Sequence, residues 1–136
     1  MRADALLAAF RATTYRVETG EGVFDLRIGV INSAFDHYLQ QRQISGWGVI
    51  TAYNPGGVRK DAENRLQQAE LQKLLQASGR IFMPANNVAD DADWPVEPSF
   101  LVLGPTPEEM GEWAYRFSQL AFVFGTTGSE PTLVWV

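Results

Sequence analysis

The chain has 136 residues, 46% of them hydrophobic and 20% charged. That composition fits one globular domain over 1–136 with room for a proper core, and it excludes a disordered chain. The net charge is −5, from 11 scattered basic and 16 acidic residues, which disfavours nucleic-acid binding; the absence of cysteine excludes disulfides, zinc thiolate sites, iron–sulfur clusters and thiol nucleophiles.

Residues 3–11 have helical spacing, with Leu6, Ala9 and Phe10 on one side. The short apolar segment there is broken by Arg11 and reads as an amphipathic helix, not a signal peptide. No apolar run approaches the roughly 20 residues of a membrane span, so no membrane partner is expected and a cytoplasmic location is. Residues 14–29 read as a hairpin: Tyr15 and Val17 alternate with polar residues, Gly20-Glu21-Gly22 turns, and Phe24, Leu26 and Ile28 alternate on the return. Asn32-Ser33 should cap a second helix, with Phe35, Tyr38 and Leu39 as its apolar side.

A strand is expected over 46–53, then a long helix over 58–78. The apolar arc of that helix is read as Leu66, Leu71, Leu74 and Leu75, and Ser78-Gly79 as its stop. Residues 80–84 read as a short strand and 85–98 as a long polar loop. Residues 99–104 form a further strand. Thr106, Pro107 and Glu109 spell a capping box for a helix whose core face is Met110, Trp113, Ala114 and Phe117. Strands over 120–125 and 132–136 close the chain.

From 46 to 124 the order is strand, helix, strand, strand, helix, strand. This is the split βαββαβ pattern of a ferredoxin-like α+β fold, preceded by a helix-hairpin-helix addition and followed by one extra C-terminal strand. SFLVL and LAFVF are apolar at every position, so both strands need cover on two faces. The N-terminal helices are the candidates for the second face.

Direction and order then gather scattered residues. In this topology the outgoing end of strand 46–53 lies beside the incoming ends of 99–104 and 120–124. Thr51, Tyr53 and Asn54 should therefore meet Glu97, Ser99 and Gln119, with Asn64 near the start of the following helix and Trp94 on the loop above. Two readings of this convergence stand side by side: a ligand site, and a hydrogen-bonded sheet end, since Asn-Pro-Gly-Gly is ordinary turn composition. Asn64 is unfavourable inside a helix, which favours a specific task for it. Glu97 is the best single acid/base candidate, because burial beside apolar strands would raise its pKa.

Other chemistry is weaker. Asp90, Asp91 and Asp93 lack the spacing of a calcium loop, no metal site is expected, and no cofactor is implied. His37, the one histidine, sits opposite the apolar side of its helix, and there is no GxSxG elbow and no phosphate-binding glycine loop.

ITAYNP at 50–55, Asn64, WPVEPSFLVLG at 94–104 and FSQLAFVFG at 117–125 together resemble a small bacterial family catalogued as a domain of unknown function. The resemblance spans nearly the whole chain. The family pattern has Gln-Asn-Ala where this chain has Gln119-Leu120-Ala121, which puts in doubt a role for an asparagine there. The resemblance implies a place and no reaction. Three expectations follow, in order: a module that binds a small molecule or a protein partner, a structural subunit or homo-oligomer joined through a sheet edge, and a small enzyme using Glu97 on a polar metabolite.

Overall fold

The computed structural model describes residues 3–136. Among these residues the chain forms four α-helices and one curled, seven-stranded antiparallel sheet, an α+β architecture. In chain order the elements are α1 (Ala3–Arg11), β1 (Thr13–Thr19), β2 (Gly22–Leu26), α2 (Ser33–Gln41), β3 (Gly46–Ile50), α3 (Asp61–Ser78), β4 (Ile81–Ala89), β5 (Glu97–Leu103), α4 (Pro107–Arg116), β6 (Ala121–Thr126) and β7 (Thr132–Trp135). A 3-10 turn at Pro55–Gly57 precedes α3. The strand order is β2-β1-β4-β5-β3-β6-β7. No helix among the described residues is long and apolar enough to cross a membrane.

The position of β3 follows from its sequence. All five of its residues are buried, and it pairs with β5 through Val49↔Leu101 and with β6 through Val49↔Val123. The period-2 alternation of a strand sends its side chains to two cores. Trp47 and Val49 join Phe35, Tyr38 and Leu39 of α2 in one, while Ile50 and Ala52 join Leu71 and Leu75 of α3 and Met110 and Ala114 of α4 in the other. The apolar runs in β5 and β6 are thus covered on both faces. On the α2 side, Phe35 packs edge-on to Trp47, with ring centroids 5.3 Å apart.

Helix signals read from sequence are found at three ends, one of them the left-handed Gly79 (φ 76°) that stops α3 after Ser78. Asn32 accepts from Phe35 N–H at the start of α2, and Thr106 and Glu109 form a reciprocal capping box on α4.

Elsewhere the structure departs from the sequence reading. The polar stretch ANNVA does not start a long loop: β4 continues to Ala89, paired with β5 (Asn87↔Glu97) and with β1 (Tyr15↔Asn87). Pairing on two sides overrides the low strand propensity of asparagine. Pro84 is tolerated because β1 pairing begins only at Ala85, so the missing N–H faces no partner there.

The hairpin β1–β2 adds to the sheet itself, with β1 paired directly to β4. Its return strand stops at Leu26, short of Ile28. Strand β3 stops at Ile50, short of 53, and α3 starts at Asp61, not at 58. On α3 the buried stripe is Asn64, Gln68, Leu71 and Leu75, whereas Leu66 is 69% exposed. Helix α1 buries none of its residues. It lies over the same sheet face as α2.

Candidate functional site

The end of β3 is tied down by side chains, most of them amides. Thr51 Oγ1 donates to the Pro98 carbonyl at 2.7 Å and accepts from Tyr53 N–H at 3.0 Å. Gln68, one turn along α3 from Asn64, accepts from Ala52 N–H at 2.8 Å and donates to the same Pro98 carbonyl at 3.1 Å. Buried amides of this kind persist only when paired, and the pairing explains why the first half of the α3 stripe is polar.

Asn54 closes the next loop. Its backbone is left-handed (φ 51°), a conformation asparagine tolerates better than most residues. Asn64 accepts from its N–H and donates to its Oδ1, both at 2.8 Å, and that same Oδ1 accepts from Lys60 N–H. Asn54 thereby supplies a partner to the start of α3, where Lys60 has no capping side chain. Gln119 completes the set by donating to the Tyr53 carbonyl at 3.1 Å.

Held in this way, the 51–57 segment becomes one wall of a cleft of about 380 Å³. Its floor is the sheet face carrying Tyr15, Val49, Asn87 and Val123, and its roof is Leu6, Ala9 and Phe10 of α1. Tyr53 and Trp94 stand on the lining, and Glu97 lies among them. Helix α1 is held over the floor by few bonds: Tyr15 hydroxyl to the Phe10 carbonyl at 3.2 Å, Thr13 hydroxyl to the Ala9 carbonyl at 2.8 Å, the Arg27 guanidinium to the Arg11 carbonyl at 2.9 Å, and an edge-to-face contact of Phe10 with Trp135.

The eight residues expected to converge divide into two groups. Thr51, Tyr53, Asn54, Trp94, Glu97 and Gln119 line the cleft. Asn64 and Ser99 do not, and both are 2% exposed. Asn64 holds Asn54, and Ser99 donates at 2.7 Å to Asn87, which does line the cleft. Glu97 is half-buried at the entry of β5, not enclosed between apolar strands, and its Oε2 accepts from the Trp94 indole N–H at 2.9 Å. Asp90 is gripped by both terminal nitrogens of Arg27 at 2.9 and 3.0 Å, and this pairing holds its carboxyl below the usual carboxylate range.

Three lining or supporting residues escape a sequence reading. Asn87 lies in a stretch that reads as loop. Tyr15 reads only as an inward strand residue, yet its hydroxyl reaches α1. Burial pushes this phenol well above its ordinary range, with the nearby Glu97 carboxylate adding to the effect, so Tyr15 keeps its proton at neutral pH. Gln68 had a usable signal: it stands four residues from Asn64, on the same face of a helix.

No curated protein and no solved structure gave a significant match. A family model does match, from Ile50 to Phe122. That interval holds Thr51 to Asn54, the Trp94 loop and Gln119, which line the wall and mouth of the cleft, and the amide pair on α3 that holds the wall from behind. The match spans more than half of the 136 residues, so the chain belongs to the family described as Protein of unknown function (DUF3293).

Proposed function

We propose that this protein is a small-molecule binding module whose ligand occupies the cleft between α1 and the sheet. The single observation that carries the reading is the cleft itself. It is largely preformed, mostly apolar, and supplied with a few polar groups at one end, which is the usual make-up of a ligand site. Its volume is near the lower end of the roughly 300–1,000 Å³ range of such sites, which suits a metabolite and not a polymer. The hydrogen bonds of Thr51, Asn54, Asn64 and Gln68 support a positioning role for those residues. Tyr53, Trp94 and Glu97 are then the contacts with the ligand. Supporting a ferredoxin-like core are the order β4-β5-β3-β6 and the shared packing of α3 and α4 on one face.

The test is a thermal-shift screen of small amphiphilic molecules against the wild type and Ala9→Trp. Ala9 is an exposed residue of α1 that lines the cleft, so an indole there fills the space without entering the core. A ligand that binds the folded form raises Tm by an amount that grows with the logarithm of its concentration above Kd. The expected result is a rise of several degrees in the wild type and none in the variant. Equal shifts in both proteins would place the binding elsewhere and end this reading.

A further inference from the structure

The lining of the cleft has one sign of charge. Its two charged side chains at neutral pH are Asp91 and Glu97, and among the described residues no Lys, Arg or His lines it. Of the basic residues flanking the same region, Arg27 pairs with Asp90 at 2.9 Å, and Arg59 pairs with Asp61 at 2.8 Å while its guanidinium stands 5.8 Å from the centroid of the Trp94 ring. Glu97 uses one carboxylate oxygen to accept from Trp94 and has no other bonding partner among the described residues. Tyr15 spends its proton on the Phe10 carbonyl, so what its oxygen can still offer is lone pairs. Tyr53 and Trp94 add two aromatic rings, whose faces attract cations. The remaining floor and roof, including Val49, Val123, Leu6 and Phe10, are apolar.

Each alternative ligand charge fails on this lining. An anion would meet two carboxylates without a counter-charge. A neutral molecule can donate hydrogen bonds to the free oxygen of Glu97 but brings no charge to offset the two carboxylates. An ammonium group supplies both charge and donors, while an apolar body fills the rest. Resting on the binding role of the cleft, we propose that its ligand is a small organic ammonium ion with an aromatic or aliphatic body, its cationic head against Glu97 and the Tyr53 ring and its body under α1.

The experiment titrates ¹⁵N-labelled protein with three probes of one shape: 2-phenylethylammonium, 2-phenylethanol and phenylacetate. The readout is the indole N–H resonance of Trp94, identified by its loss in Trp94→Phe, because that N–H is bonded to the Glu97 carboxylate. The ammonium probe should bind at least tenfold tighter than the alcohol, with phenylacetate weakest. Glu97→Gln should bring the ammonium probe down about tenfold, to the level of the alcohol. Glu112→Gln, which removes an exposed charge on α4 remote from the cleft lining, should leave the ammonium affinity unchanged. Ala9→Trp should remove the binding of both probes.

Equal affinity for ammonium and alcohol in the wild type, stronger binding of phenylacetate, or an ammonium affinity indifferent to Glu97→Gln would overturn the charge assignment and leave the cleft as a binding site. Ammonium binding that survives Ala9→Trp, or no response to any of the three probes, would overturn the binding reading along with it.

Discussion

Asn64 and Glu97 sit on either side of the line between holding the cleft wall and lining the cleft. Asn64 is buried and makes two 2.8 Å bonds to Asn54. Asn64→Ala leaves the Asn54 N–H without its partner and takes from the Asn54 Oδ1 one of its two donors, the Lys60 N–H remaining, which should cost about 2 kcal/mol in urea unfolding, with an unchanged m-value. Glu97→Gln keeps the shape and the acceptor for Trp94, so it should change stability by no more than about 0.5 kcal/mol. Two glycines give a second contrast. A Cβ on Gly125 would stand 2.5–2.7 Å from three ring atoms of Trp47, a rigid indole already packed against Phe35. On Gly48 it would strike the end of Met110, a flexible chain that can swing aside. Overpacking typically costs about 1–3 kcal/mol, so Gly125→Ala should fall at the upper end of that range and Gly48→Ala at the lower. Guanidinium unfolding of the two variants ranks them directly.

Helix α4 is the best specified element, because its start is written into Thr106, Pro107 and Glu109. Thr106→Ala should cost about 1 kcal/mol through the lost cap. The Glu109 carboxylate accepts from Thr106 N–H and pairs with Arg80 at 2.7 Å, and these bonds hold its pKa below the ordinary value. A carboxylate with a depressed folded-state pKa adds stability above its unfolded value, about 4.3 for glutamate, and loses it as pH falls through the folded value. Glu109→Gln removes only this charge-dependent part. The stability gap between wild type and variant should therefore be full at pH 6–7 and close as pH falls below about 4.3. A gap that stays constant down to pH 2 would mean that the carboxylate contributes through shape alone. Helix α1 is the opposite kind of element, with no buried residue and few bonds to the sheet. Its amphipathic pattern is real, but the apolar side faces a cleft and not a core.

For the whole molecule, the core and the roof of the cleft lie in different parts of the chain. Strand β1 is internal to the sheet, between β2 and β4, and α2 covers Trp47, Val49, Leu101 and Leu103. Deleting residues 1–44 should uncover that face and produce aggregation. Deleting residues 1–11 removes only the roof, so the shortened chain should still unfold cooperatively at a similar denaturant midpoint, yet lose affinity for any ligand of the cleft. Sedimentation and urea unfolding of the two truncations test both statements. A soluble, cooperatively folding 45–136 fragment would show that the N-terminal layer is dispensable.

Much of this was written locally. The α4 capping box, the Asn32 cap and the two-faced apolar strands β5 and β6 depend on neighbours a few residues apart, where side-chain chemistry and periodicity decide the outcome. Strand order then placed Thr51, Tyr53 and Asn54 beside the entries of β5 and β6, because an antiparallel neighbour must begin where β3 ends. What the sequence could not decide was which partners the polar side chains would take. ANNVA reads as loop until β1 and β5 flank it and fill its backbone hydrogen bonds. Asn64 reads as a site residue until Asn54 folds back in a left-handed turn to meet it. The cleft is the clearest case: its floor comes from β1, β3, β4 and β6, its roof from α1, and its mouth from Tyr53 and Trp94. Those segments are far apart in sequence, and only tertiary packing sets the distance between them. Local pattern thus determined which surfaces are apolar, while the sheet and the placement of α1 decided which of them meet and which enclose a space.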